Sequence, residues 1–397
     1  MTKPIHVGVD ATTWWNDRGF GRFTRELLIA LLEREDSGFE YTLVVDRKPD
    51  GAFPKNAKVM SVDTAKNLDE SAVGDTSRSP LYLFKLGAAL RRQKFDLFFY
   101  PAVYSYFPML ARMPCVVCYH DTTAERFPKL IFPTTKNYRL WQAKTFLARA
   151  QTTRAMTVSQ ASAGDLEQIL HFSRNKIDVV TEAADPVFRV TGDAEHTRRV
   201  REQHGIGEDR RVLVYVGGMN PHKNLLGLLK AMPDVVKKTP DVHLAIVGST
   251  SGKGFWDDVP GLMRFVEDNP PLSEHVTFTG YMSDEDLVAL FQTASALVFP
   301  SLWEGFGLPA VEAMACGVPV LASRRGSLPE VVGDAGLFFD PESPWAMYTT
   351  ITKFLENEEM QEDLRKKARA RAETFTWSRA AELAEVCFRK CVQDGRR

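Results

Sequence analysis

The chain is poor in cysteine, with five in 397 residues, and almost without net charge, at −1. So few cysteines cannot staple a fold of this size, and near-neutrality removes any whole-molecule attraction to nucleic acid. Affinity for an anionic partner must come from local patches. No apolar run approaches the roughly 20 residues that span a bilayer. The opening MTKPIHVGVD lacks a basic stretch leading into a long apolar one, so no signal peptide is expected and a cytoplasmic location fits. Cys115 and Cys118 form a C-x-x-C, but no second pair completes a zinc site, and the apolar run around them reads as core. No Asp-x-Asp falls in an expected loop, so no metal and no cofactor is foreseen.

What is present is ordinary globular material, 44% hydrophobic and 25% charged, long enough for about two domains. IHVGVDA, YTLVVD, LFFYPA and PCVVCYHD read as buried strands, with helices expected over 22–34, 81–93 and 136–151. The pattern then repeats. RVLVYVGG, VHLAIVG, HVTFTGY, ALVFPS and VPVLAS are strands, and helices fall near 224–238, 284–294, 308–316 and 327–332. Near-continuous apolar strands joined by helices imply parallel sheet covered on both faces. The expected fold is α/β: two Rossmann-like, doubly wound domains facing a central cleft, bounded as 1–190 and 191–377. The stretch 186–210 is polar and strand-poor, as a linker should be. Ligands of such sheets bind at the carboxyl ends of the strands, so functional residues belong in the strand-to-helix loops.

The richest of these loops runs from Pro300 to Gly317. It carries Glu304-Gly305-Phe306-Gly307, and then Leu308 and Pro309 open a helix. The glycines allow close backbone approach, and the helix N-terminus offers N–H groups to an anion such as a diphosphate. Glu304 and Glu312 cannot both touch one phosphate without repulsion. They suit the hydroxyl-rich groups on either side of it, unless Glu312 merely favours the first helical turn and Glu304 is solvated. Lys223, in Asn220-Pro221-His222-Lys223 after another strand, could neutralise phosphate charge or simply sit at a helix entry. In the first half, Gly19-Phe20-Gly21 follows the first strand, and His120-Asp121 follows PCVVCY. Trp14 and Trp15 could stack on a sugar acceptor or pack internally. Arg126 to Gly164 contains no Asp or Glu, while cations there alternate with Phe127, Phe132, Tyr138, Trp141 and Phe146. That segment, 126–154, is either a solvated basic helix or a surface for a lipid-diphosphate acceptor or anionic membrane face, although its charges do not fall on one clean stripe.

Together these motifs resemble the family-4 retaining glycosyltransferases of the GT-B fold. The specific match is PSLWEGFGLPAVEAMACGVPVLASRRGSLPEVVGDAGLFFDP, supported by GFGRFTREL, TVSQASAGDL, VYVGGMNPHKNL and GYMSDEDL. The resemblance implies hexosyl transfer from a nucleotide-diphosphate sugar to a glycan or lipid-linked glycan, without metal. GFGRFTREL and NPHKNL look most like bacterial mannosyltransferases of surface-polysaccharide assembly, which favours GDP-mannose over UDP-glucose-type donors. It implies that Glu304 holds the sugar, that Gly305, Phe306, Gly307 and Leu308 cradle sugar and diphosphate, and that Glu312 takes the ribose. Lys223 and His120 complete the catalytic set, Gly21 lets the first loop close over the phosphates, and the terminal helix 378–397 returns to the first domain. Where the family often carries arginines, this chain has Gly218 and His222, so either His222 titrates to help, Arg22 or another residue compensates, or turnover is modest. A nucleotide-sugar epimerase, an NAD-dependent oxidoreductase and an inactive glycosyltransferase-like subunit are the other readings. The second lacks the third glycine of its fingerprint, where Thr24 stands.

Overall fold

The computed structural model describes residues 3–16, 18–35, 37–48, 51, 53–62, 80–109, 111–250 and 258–395. The chain divides into two compact units. One runs to Glu182, apart from Lys129–Ile131, and takes up the chain again from Trp377; the other is Ala183–Thr376 with Lys129–Ile131.

The first unit holds β1 (Ile5–Asp10), β2 (Phe39–Val45), β3 (Lys58–Ser61), β4 (Leu97–Tyr100), β5 (Cys115–Cys118), β6 (Arg154–Thr157) and β7 (Ile177–Val179). They pair in the order β3-β2-β1-β4-β5-β6-β7, every pair parallel. The second unit holds β8 (Arg211–Val216), β9 (Val242–Val247), β10 (Val276–Gly280), β11 (Ala294–Phe299), β12 (Val320–Ser323) and β13 (Gly336–Phe339). Their order is β10-β9-β8-β11-β12-β13, again parallel throughout. Strand order therefore reverses between β1 and β4 and between β8 and β11. At such a reversal neighbouring loops diverge and leave a crevice at the strand ends. The loops singled out in the sequence leave β1, β5, β8 and β11, at or next to those reversals.

Burial explains the strands. Every residue of β4, β5, β9 and β11 is buried, as sheet covered on both faces requires. The terminal helix Trp377–Gly395 lies against the helix Gly19–Leu32 and against β4, β5, β6 and β7. Arg154 in β6 ties it down, donating to Asp178 at 2.6 Å and to Asp394 at 2.8 Å, and Lys390 reaches Asp178 at 2.6 Å. Tyr41 donates to Glu385 at 3.2 Å.

The stretch 186–210 is not a plain linker. It contains the helix Ala194–Gln203, which packs on the helix Asp284–Phe291. Asp193 caps it by accepting from His196 N at 3.0 Å. Only Thr197, Val200 and Arg201 are buried, too sparse an apolar stripe to announce a helix. The short strands β3, β6, β7 and β13 also escaped the sequence reading; KVMS, RAMT and IDV lack the continuous apolar run that marked equally short strands such as β4 and β5.

Candidate functional site

In the second unit β8 is followed by Gly217, whose φ of +147° lets the chain turn out of the sheet. A short 3-10 turn over Pro221–Lys223 follows, then Asn224 at φ 58°, then the helix Leu225–Lys238. Asparagine tolerates that left-handed backbone better than most residues. Its side chain gives a second reason for its presence: Nδ2 donates to the Pro341 carbonyl at 2.7 Å and to that of Pro300 at 3.1 Å. Leu302 N donates to the His222 carbonyl at 2.8 Å. The β8 and β11 loops are thus laced together.

That lacing aims the charges. Lys223 Nζ lies 2.7 Å from Glu304 Oε1, both side chains mostly withdrawn from water. Glu304 is in turn held by its backbone. Its carbonyl accepts from Ser327 N at 3.2 Å and Ser327 Oγ at 3.1 Å, while Ser327 Oγ also lies 2.8 Å from the Phe306 carbonyl. Gly326 must be glycine, since its φ is +61° and a Cβ would stand 2.7 Å from the Glu304 carbonyl oxygen. Sequence reasoning did not assign Asn224, Gly326 or Ser327. The only available signal was the GS before LPEVV, a small residue pair ahead of a helix.

Gly307 has φ +93°, and a Cβ there would press on Leu328 at 2.8 Å. It delivers the chain into the helix Leu308–Ala315, with Pro309 in the first turn. Of its first turn, Pro309 has no N–H and Ala310 N donates to the Gly307 carbonyl at 2.8 Å, so the Leu308 N–H is the one without an intrahelical acceptor. Phe306 is buried edge-on to Phe375 at 5.5 Å, and Glu312 is buried in the same helix. Gly305 lies between Glu304 and Phe306 in this loop. Burial first, and the neighbouring Lys223 second, push the His222 imidazole down to about 3. At neutral pH it is therefore uncharged in the free protein.

In the first unit His120 sits at the end of β5, buried, with Nδ1 3.2 Å from Glu182 Oε1 and Nε2 2.9 Å from the Pro101 carbonyl. Both ring nitrogens face acceptors, an arrangement satisfied only by the doubly protonated ring. Burial opposes that charge most, yet Cys118 and Glu182 outweigh it and the net shift is well upward. Ser162 Oγ fixes the residue further by donating to the His120 carbonyl at 3.0 Å. Gly21 lies in the first turn of its helix, where a Cβ would collide with the Asn16 carbonyl.

Trp14 packs inside, while Trp15 remains partly exposed. Trp14 is 4% exposed and lies 4.5 Å from the Phe53 ring; Trp15 lies 5.4 Å from Phe53 with the Arg47 guanidinium 4.3 Å over its face. Arg25 pins this loop by donating to the Trp14 and Asn16 carbonyls at 2.8 and 2.9 Å. Cys115 and Cys118 are buried free thiols. No group of three or more His, Cys, Asp or Glu arranged to hold a metal occurs among the described residues.

The two units match two family models in succession. Residues 18–187 match Glycosyltransferase Family 4, and residues 196–371 match Glycosyl transferases group 1. The chain belongs to the group 1/family 4 glycosyltransferases. This glycosyltransferase is 34% identical over 222 residues to the O-antigen chain mannosyltransferase B of Escherichia coli, covering 56% of either chain. It is 30% identical over 248 residues to the D-inositol 3-phosphate glycosyltransferase of Segniliparus rotundus, covering 62% of this chain and 54% of that one. The match thus spans about half the length of these curated relatives. Anabaena HepE, solved in complex with UDP and glucose, shares the fold with a TM-score of 0.72 at 17% identity, over 98% of this glycosyltransferase and 100% of HepE. Both units are therefore the Rossmann-like halves of the GT-B architecture. No helix among the described residues is long and apolar enough to cross a membrane.

Proposed function

We propose that this glycosyltransferase moves a hexose, mannose before others, from a nucleotide-diphosphate sugar to a hydroxyl of a glycan or lipid-linked glycan. The observation that carries this reading is the Lys223–Glu304 pair at 2.7 Å, set beside a helix N-terminus at the reversal of strand order. A cation and the positive end of a helix suit a diphosphate, and a carboxylate next to them suits sugar hydroxyls. Glu312 then takes the ribose, with Gly305, Phe306, Gly307 and Leu308 around the sugar and diphosphate. GDP-mannose is the favoured donor, in keeping with the mannosyltransferase named among the relatives; HepE, solved with UDP and glucose, keeps a UDP-sugar as the second choice.

The reaction proceeds with retention. The bond from the sugar anomeric carbon to the diphosphate oxygen breaks, and the acceptor oxygen bonds to the same face of that carbon. The acceptor proton passes to the departing phosphate oxygen, so no carboxylate nucleophile is needed. Lys223 stabilises the charge that builds on the leaving diphosphate, which is the work a divalent metal does elsewhere. His120, as an imidazolium, is the first unit's catalytic residue, and the segment 126–154 makes peripheral contact with the inner membrane face. The test is a panel of nucleotide sugars. GDP-mannose is expected to raise the melting temperature and to be consumed only when a glycan acceptor is added; stabilisation by none of the panel overturns the reading.

A further inference from the structure

Six of the seven cations from Arg126 to Arg154, all but Lys129, lie in the first unit and sort into two groups. Arg126 pairs with Asp165, Lys144 donates to the Tyr104 carbonyl, Arg149 donates to the Leu170 carbonyl at 2.8 Å, and Arg154 holds Asp178 at 2.6 Å. Those charges are spent inside the unit. Lys136 and Arg139 instead stay exposed on the helix Thr135–Gln151, which contains no acidic residue.

The apolar residues of that helix sort as cleanly. Trp141, Thr145 and Ala148 are buried against the unit. Leu140, Phe146 and Leu147 are 42%, 60% and 47% exposed, and Ala143 and Ala150 are exposed with them. At 3.6 residues per turn, Lys136, Arg139, Leu140, Ala143, Phe146, Leu147 and Ala150 fall within about 120° of arc. The stripe absent from the charges alone is present once the exposed leucines and phenylalanine are included. The Arg149 guanidinium flanks it, 5.9 Å from the Phe146 ring centre.

We infer that this outer stripe of the helix Thr135–Gln151 is a docking face for an anionic lipid bilayer, with Leu140, Phe146 and Leu147 entering the interface and Lys136 and Arg139 meeting the headgroups. A helix that presents large apolar side chains to water on one face, with cations and no acid beside them, has the pattern of an interfacial helix. Anionic lipid is the occupant that charge complementarity selects, since a second copy would bring the same cations against themselves. This deepens the membrane part of the proposed function. It does not depend on the transfer reaction, so vesicle binding can fail while donor binding stands.

The experiment is sedimentation of the full chain with vesicles of phosphatidylcholine alone and of phosphatidylcholine mixed with phosphatidylglycerol. The wild type is expected to bind the mixed vesicles about tenfold or more tightly than the neutral ones, two cations near the surface each contributing. Phe146→Asp with Leu147→Asp is expected to lower binding to both by at least about tenfold, the exposed apolar contacts being lost. Lys136→Glu with Arg139→Glu is expected to lower binding to the mixed vesicles alone. Circular dichroism and donor-induced stabilisation should match the wild type in both variants. Absence of wild-type binding to either vesicle overturns the inference, as does unchanged binding by the aspartate variant. A wild-type dimer in solution that the aspartate variant breaks also overturns it, by assigning the stripe to a second copy.

Discussion

Lys223 Nζ is 2.7 Å from Glu304 Oε1, so the cation proposed for the diphosphate and the carboxylate proposed for the sugar neutralise each other in the free protein. Lys223 keeps two further N–H donors and Glu304 its second oxygen for a donor's diphosphate and sugar. Lys223→Ala and Glu304→Ala are each expected to cut transfer by about 10²–10³ or more, the scale for removing a donor aimed at developing charge. The helices on either side should persist, because the Asn224 and Ser327 hydrogen bonds remain. Near-wild-type turnover in either variant would remove the pair from the mechanism.

His222 is neutral in the free protein because burial and Lys223 hold it at about 3. A bound diphosphate, being anionic, raises that value, so the complex binds more protons than the free partners do. Donor affinity should therefore increase as pH falls from neutral toward the acid side. His222→Arg, which makes the cation permanent, should bind donor more tightly at pH 7 and lose that pH dependence. Calorimetry in two buffers of different ionisation enthalpy measures the proton uptake directly; no uptake, with an unaltered slope in the arginine variant, contradicts the assignment.

The His120–Glu182 contact makes a stability prediction with a definite sign. The folded imidazole titrates above its unfolded value of about 6.5, so its contribution is complete below that pH. It is lost as pH rises through the higher folded value. Glu182→Gln removes the counter-charge, so its destabilisation should be largest in mildly acid solution and fade toward alkaline pH. Melting curves taken across that range check it, and a constant offset between the two proteins would contradict the charged ring.

Gly326 supports Glu304 through space that a methyl group would fill. Gly326→Ala places a Cβ against the Glu304 backbone at a φ of +61°, a left-handed conformation that costs a non-glycine residue about 1–2 kcal/mol. Donor affinity is expected to fall while the fold of the second unit survives. Gly205→Ala, with φ +66° and open space around it, is the control: it bears a similar backbone cost with no effect on donor binding.

The sequence was informative where residue chemistry is local. Glycines and prolines mark the strand-to-helix corners at Gly307 and Pro309, and the Glu304–Glu312 spacing depends only on the intervening chain. It was silent where a residue works through distant partners. Asn224 matters because of Pro300 and Pro341, and Ser327 because of Glu304 and Phe306, none of them near in sequence. Trp14 and Trp15 were ambiguous for the same reason, since their partners Phe53 and Arg47 come from other loops. Strands such as β7, whose IDV holds no continuous apolar run, leave the pattern nothing to register.

The most direct measurement is a crystal structure of the protein soaked with a nucleotide-diphosphate sugar. The diphosphate should lie between Lys223 and the Leu308 end of its helix, with the sugar against Glu304 and the ribose against Glu312. A nucleotide bound away from Gly307 would contradict the account.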